Sequence, residues 1–297
     1  MPHFGDDLTA AMREKNSRIC VGIDPNFDKF PARLRKVGAG RREIIDAFYD
    51  FVTGVIDAVA HAAAAVKFQS AYFERYHVEG VEAYFSLIAE AKAKGLLVIG
   101  DAKRGDIGAT SEAYAAGHLD PHPVDDAATP DALTVNPMLG FDTLEPFVDV
   151  AVKNGKGLFV LVRTSNPGSA DLQDVELASG GTWSEHLASG VSKIAANHVG
   201  SSGYSSIGAV VGATQAHTME SMRQKMPSSI FLLPGYGAQG GKADTARAAF
   251  SRDGFGALVS ASRSVLYPEA QDGEDWQQAV AREARAMRDD VNRVIEA

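Results

Sequence analysis

Eight short apolar runs, each of strand length and each closed by polar, glycine or proline residues, constrain the fold of this chain more than any other feature. They begin with Ile19 to Ile23 before Asp24-Pro25, Ala65-Val66 before Lys67-Phe68-Gln69, and Leu96 to Ile99 before Gly100-Asp101. Ala132 to Val135, Leu158 to Val162, Ile207 to Val211, Ile230 to Leu233 and Ala257 to Val259 continue the series. Runs that are apolar without alternation suit parallel strands covered on both faces. Segments with helical spacing and good helix formers lie between them: Ile44 to Ala60, Val81 to Ala93, Leu144 to Lys153, Trp183 to Ala196 and Asp244 to Phe250. Strand alternating with helix predicts parallel pairing through right-handed crossovers. Eight such units in roughly 250 residues predict an α/β fold, a single (β/α)8 TIM barrel spanning 1–297. An open doubly wound sheet is the alternative.

Three segments read as additions to that barrel: a long first loop from Phe27 to Arg42, an acidic, proline-interrupted insertion at about 117–130, and a charged amphipathic helix at about 274–297 that should pack on the outside. The insertion is expected to form a surface lobe or an interface arm. Its His118, Asp120, His122 and Asp125 have the composition of a metal cluster but no rigid spacing, so no metal site is read there.

With 297 residues, 45% of them hydrophobic, the chain can bury a large core. A net charge of -9 argues against a nucleic-acid partner, which normally needs a basic face. Local basic residues can still hold one phosphate. The only cysteine, Cys20, lies inside an apolar run, allows no internal disulfide and fits a reducing, cytoplasmic setting. No run of about 18 apolar residues occurs, and the N-terminus has no apolar segment after its charges, so neither membrane insertion nor secretion is expected.

The stretch LLVIGDAKRGDIGATS, Leu96 to Ser111, carries the sharpest change of polarity. Side chains two apart on extended backbone point the same way, so Asp101 and Lys103 should project together from the end of the third strand. Asp106, beyond the Gly105 turn, need not face the same pocket. The pair could simply tie a loop, but the carboxyl ends of strands are where barrels and open α/β sheets place ligands. Collected at one mouth, the strand-end residues are Asp24, Lys67, Asp101, Lys103, Asn136, Ser165, Gln239 and Arg263. Alternating carboxylates and lysines in a partly dry pocket keep the amines protonated and can stabilise developing negative charge without a metal.

A second cluster, Pro234-Gly-Tyr-Gly-Ala-Gln239-Gly-Gly241, precedes Ser260-Ala-Ser-Arg263. Glycines permit close backbone approach to an anion, and the loops after strands seven and eight are the common phosphate site of such barrels. Gly235, Gly237 and Gly240 also match the dinucleotide fingerprint, but the apolar run that follows ends in Ser-Arg instead of an acidic ribose ligand. A plain turn is the remaining reading.

Asp101-Ala-Lys103-Arg-Gly-Asp106-Ile-Gly-Ala-Thr110 resembles the D-x-K-x-x-D signature of orotidine 5'-phosphate decarboxylases, most closely the longer bacterial (type 2) subfamily. Asp24 in VGIDP, Lys67 in VKFQ, Ser165 in RTSNPG, Gln239 in PGYGAQGG and Arg263 in SASRS fall in the family's order, so the likeness spans about 18–267. The resemblance implies decarboxylation of orotidine 5'-monophosphate to uridine 5'-monophosphate without cofactor or metal. It implies a catalytic tetrad of Lys67, Asp101, Lys103 and Asp106, with Lys103 stabilising and then protonating the C6 carbanion. Asp24 and Lys67 would hold ribose hydroxyls, Ser165 the pyrimidine edge, and Gln239 with Arg263 the phosphate; Thr110, Asn136 and Pro234 complete the expected substrate contacts. Asp106 and Thr110 would enter the partner's site in a homodimer. The long first loop and the 117–130 insertion depart from the compact members of the family, and Asn136-Pro137 stands where those members commonly differ.

Overall fold

The structure, a computed structural model, describes residues 2–121, 126–212, 216–235 and 246–296. Eight parallel strands close into a barrel in sequence order: β1 (Ile19–Ile23), β2 (Ala65–Gln69), β3 (Leu97–Arg104), β4 (Ala132–Val135), β5 (Gly157–Arg163), β6 (Ile207–Val211), β7 (Phe231–Pro234) and β8 (Ala257–Ala261). β8 returns to β1, pairing Cys20 with Ser260, which excludes the open sheet. The five residues of β1 are all buried, as are those of β6 and β8, because one face meets the barrel interior and the other the helical layer.

Two apolar cores follow from that arrangement. The outer one joins the strands to the surrounding helices, including Phe48, Phe51, Val55 and Val59 of helix Arg41–Val59 and Leu87 and Ile88 of helix His77–Ala93. The inner one fills the barrel with Cys20, Ala65, Ile99, Phe159, Leu232 and Leu258. Its lower end is closed by helix Phe4–Glu14, whose Phe4, Leu8 and Met12 are buried in it. Phe4 meets Phe159 edge-on at 5.9 Å and lies where a Cβ on Gly157 would stand, so glycine at that position admits the plug. With the amino ends of the strands stoppered by apolar side chains, the carboxyl ends are left for polar chemistry.

The C-terminal helix Trp276–Glu296 packs outside the barrel, burying Ala279, Val280, Ala284, Met287 and Val291, with Trp276 stacked on Phe51 at 5.1 Å. The first loop carries two short 3-10 turns, Phe27–Lys29 and Ala32–Leu34. The insertion begins later than its sequence suggests: helix Gly108–Leu119 runs through Gly117, and His118 and Leu119 are buried. Thr129 and Pro130 are buried at its other end, where the Pro130 ring abuts Gly100, so both flanks belong to the packed body. His122 and Asp125 lie outside the described residues.

A candidate active site at the carboxyl ends of the strands

β3 is twice the length of the apolar run that announced it, continuing through Asp101 and Lys103 to Arg104. Its pairing with β4 slips on the way: Gly100 stands opposite Leu133 and Arg104 opposite Val135, so three β3 residues face Thr134 alone. The excess is absorbed by a bulge in which Lys103 adopts a left-handed backbone, φ +48°. Through this irregularity Asp101 and Lys103 both reach the barrel mouth.

The centre of the mouth is the Asp101 carboxylate, 5% exposed. One oxygen, Oδ2, accepts hydrogen bonds from Lys67 Nζ at 2.6 Å and Gln69 Nε2 at 3.0 Å. The other, Oδ1, accepts from Lys103 Nζ at 2.6 Å and Thr134 Oγ1 at 2.9 Å. Four donors from three strands thus fix its plane. Burial alone would push this carboxyl up, but the Lys67 and Lys103 ammoniums outweigh it and hold Asp101 well below the usual carboxylate range. Lys67 is the converse case. Burial disfavours its charge, yet Asp101 and then Asp24 raise its pKa above that of an ordinary lysine. Asp101 and Lys67 therefore stay ionised across the neutral range, and Lys103 is the more accessible amine at 45% side-chain exposure.

Above the array lies a cavity of about 580 Å³, within the roughly 300–1,000 Å³ span of small-molecule sites. Asp24, Lys67, Asp101, Lys103, Ser165, Pro234 and Arg263 all line it, so seven of the residues singled out in the sequence meet in one place. Asp24 contributes a buried Oδ1 with no hydrogen-bond partner among the described residues, an acceptor suited to a ligand hydroxyl. Its backbone carbonyl accepts from the Tyr267 hydroxyl at 2.9 Å, which fixes the loop after β1. Ser262 precedes Arg263, and its hydroxyl fills the space a Cβ on Gly22 would need, so glycine in β1 lets the arginine turn approach.

The loop after β5 is held from behind. Arg163 pairs bidentately with Asp174 at 2.9 Å for each contact and donates to the Thr164 carbonyl at 2.6 Å. Gln173 Oε1 accepts from Thr164 N at 2.8 Å, and between these anchors Ser165 and Asn166 are presented to the cavity.

Asp106, Thr110 and Asn136 do not line the cavity. Asp106 is half-buried and caps its own turn, Oδ1 accepting from Ile107 N at 2.8 Å and its carbonyl accepting from the Ser111 hydroxyl. Thr110 is exposed on the first turn of helix Gly108–Leu119. Asn136 turns the chain beyond β4, accepting from Met138 N at 3.0 Å. Gln239, in the glycine-rich stretch, lies outside the described residues.

The chain matches the family model described as Orotidine 5'-phosphate decarboxylase / HUMPS family over residues 17–275. It belongs to that family. Orotidine 5'-phosphate decarboxylase of Rhodopirellula baltica is 41% identical over 290 residues, covering 94% of this chain and 96% of that protein. Its counterpart in Deinococcus radiodurans is 41% identical over 293 residues, covering 98% of this chain and 97% of the other. Among solved structures, Leishmania donovani OMP decarboxylase superimposes with a TM-score of 0.77 at 28% identity, covering 99% of this chain and all of that one. Members of the decarboxylase family thus share both the length and the barrel of this chain, and the (β/α)8 architecture read from its apolar runs is the one observed.

Sequence reasoning missed several residues at the mouth: Gln69, Tyr72, Thr134 and Asn166 on its polar sides, and Leu161, Val210 and Leu232 as an apolar wall. Period-two alternation could have found Gln69, which follows Lys67 by two along β2 and so faces the same way. Thr134 carried no such signal, because its role depends on a bulge in a neighbouring strand.

Proposed function

We propose that this chain decarboxylates orotidine 5'-monophosphate to uridine 5'-monophosphate and CO2, the decarboxylation step of de novo pyrimidine biosynthesis, without a metal. The observation that carries this reading is the Lys67–Asp101–Lys103 array at the base of a cavity whose rim holds Arg263. Loss of CO2 from C6 leaves a carbanion with little resonance relief, so a fixed cation beside that carbon is the direct remedy. Lys103 has the accessible ammonium: it would stabilise the carbanion and then transfer its proton to C6. A substrate carboxylate seated near Asp101 is repelled by it. At about 4 Å and an effective dielectric of about 20 the bare repulsion is on the order of 4 kcal/mol, reduced by the two ammoniums Asp101 already holds, and it vanishes as CO2 departs.

In the same reading Asp24 and Lys67 take ribose hydroxyls, Ser165 the pyrimidine edge, and Arg263 with Gln239 the phosphate, while Pro234 closes the wall. Phosphate binding far from C6 then supplies energy that holds the site together. Asp106 and Thr110 act across a homodimer interface. Support for that placement comes from Ile107, Met138 and Leu139, which stand 63%, 55% and 56% exposed on the loops after β3 and β4. A cytoplasmic setting is supported by the lone, buried cysteine.

The test is the orotate-ring absorbance of the nucleotide, followed with purified protein in excess EDTA. The reading predicts its disappearance with formation of uridine 5'-monophosphate. Persistence of the absorbance, or activity that EDTA removes and a divalent ion restores, would contradict it.

A further inference from the structure

We propose that Thr134 is a positioning residue for this reaction, its hydroxyl setting the relation between Asp101 and the backbone that carries Lys103. The inference rests on the decarboxylase reading above and extends it to a residue to which that reading assigns no contact with substrate.

Thr134 is 1% exposed and stands alone opposite the β3 bulge. Its Oγ1 donates to Asp101 Oδ1 at 2.9 Å and accepts the Lys103 backbone N–H at 3.0 Å. Since a hydroxyl has one proton to give, donation to the carboxylate leaves its lone pairs for the amide, and both contacts are satisfied together. This matters because Lys103 holds a left-handed φ of +48°, a conformation that a residue with a long side chain seldom adopts unless its surroundings impose it. At the bulge, regular pairing resumes only at Arg104, whose carbonyl accepts from Asn136 N at 2.8 Å. The Thr134 hydroxyl thus receives the amide of Lys103 within the irregular stretch and ties it to the same carboxylate that grips the Lys103 ammonium. Backbone and side-chain tip of one lysine are both referred to Asp101, which is itself fixed by Lys67 and Gln69. A mobile Lys103 would still pair with Asp101, but its ammonium would no longer be held at one place above it.

Thr134→Val keeps the branched shape and removes both hydrogen bonds, whereas Thr134→Ser keeps the hydroxyl. For Thr134→Val we expect kcat to fall by about 10- to 100-fold, the range that misplacement of a catalytic group produces, with KM and the affinity for uridine 5'-monophosphate within about threefold of wild type. Thr134→Ser should retain kcat within about threefold. A Thr134→Val enzyme with wild-type kcat overturns the proposal, and so does a serine variant as impaired as the valine one, since shape and not the hydroxyl would then be responsible. If Thr134→Val does not fold, Thr134→Ala is measured and judged by the same split between kcat and KM. An inactive wild type would refute the decarboxylase reading itself; an active wild type beside an equally active Thr134→Val would refute only the role of Thr134.

Discussion

Replacing Asp101 by Asn removes the charge that makes Lys67 tolerable in the barrel. The two groups are 7% and 5% exposed and 2.6 Å apart, so at an effective dielectric of about 20 their attraction is on the order of 6 kcal/mol. Asp24 remains as a second counter-charge, and part of the loss is recovered if Lys67 sheds its proton. Removing one partner of a buried ion pair typically costs about 3–5 kcal/mol. The Lys103 contact adds little, because that side chain is 45% exposed and its charge is screened by water. At roughly 2–3 °C per kcal/mol for a chain of this size, the melting temperature of Asp101→Asn should fall by about 6–15 °C at pH 7. The decisive comparison is the double variant Lys67→Met with Asp101→Leu. Replacing both charges by apolar groups of similar volume removes the orphan, so the double variant should melt higher than Asp101→Asn alone. A calorimetric scan of wild type and both variants settles the point. An Asp101→Asn protein melting within 2 °C of wild type, or a double variant melting no higher than Asp101→Asn, would refute the claim that Asp101 neutralises a buried ammonium.

Three other outcomes are expected. Arg263→Ala should raise KM by about 10- to 100-fold with a smaller change in kcat, since one charge-assisted contact to phosphate contributes about 1.5–3 kcal/mol; unchanged KM in steady-state assays would remove Arg263 from the phosphate site. Burial, aided by the Arg104 guanidinium, pushes the His118 imidazole down to about 4. The fold then refuses a proton that the unfolded chain accepts from about pH 6.5 downward, so up to about 3 kcal/mol of stability is lost between pH 6.5 and 4. His118→Gln should flatten that part of the melting-temperature profile, and identical profiles would contradict the assignment. Finally, mixing inactive Asp106→Asn and Lys103→Ala proteins should regenerate activity through hybrids holding one intact site, and absence of any recovery after subunit exchange would count against Asp106 acting across the interface.

Strand positions were legible because a strand buried on both faces must be apolar throughout. Ile19–Ile23, Ala132–Val135 and Ile207–Val211 coincide with the runs read from the sequence. β3 was legible as an apolar run only in its first half; Asp101 and Lys103 were placed at its end, but the bulge and left-handed lysine that let strand pairing continue past them leave no mark in the sequence. The plug helix Phe4–Glu14 was missed for a related reason. Phe4, Leu8 and Met12 form a narrow stripe among polar neighbours, and only the open lower end of a barrel gives that stripe something to cover. At the site, the charged residues were found by type and place. Gln69, which orients the central carboxylate, was within reach of its spacing from Lys67, but Thr134 was invisible to such a search because hydroxyls are common on strands and acquire meaning through their partners. Asn136 follows β4 directly and turns the chain, whereas Thr134 is the β4 residue that lines the cavity.

The account depends on the Lys103 ammonium acting at the reacting carbon, and single-turnover decarboxylation by Lys103→Ala tests this most directly, with affinity for uridine 5'-monophosphate measured on the same preparation. The account predicts loss of turnover by at least about four orders of magnitude, as expected when an electrostatic stabiliser and proton donor are removed together, while the product still binds within about tenfold of wild type. Decarboxylation at a rate near that of the wild type would contradict it.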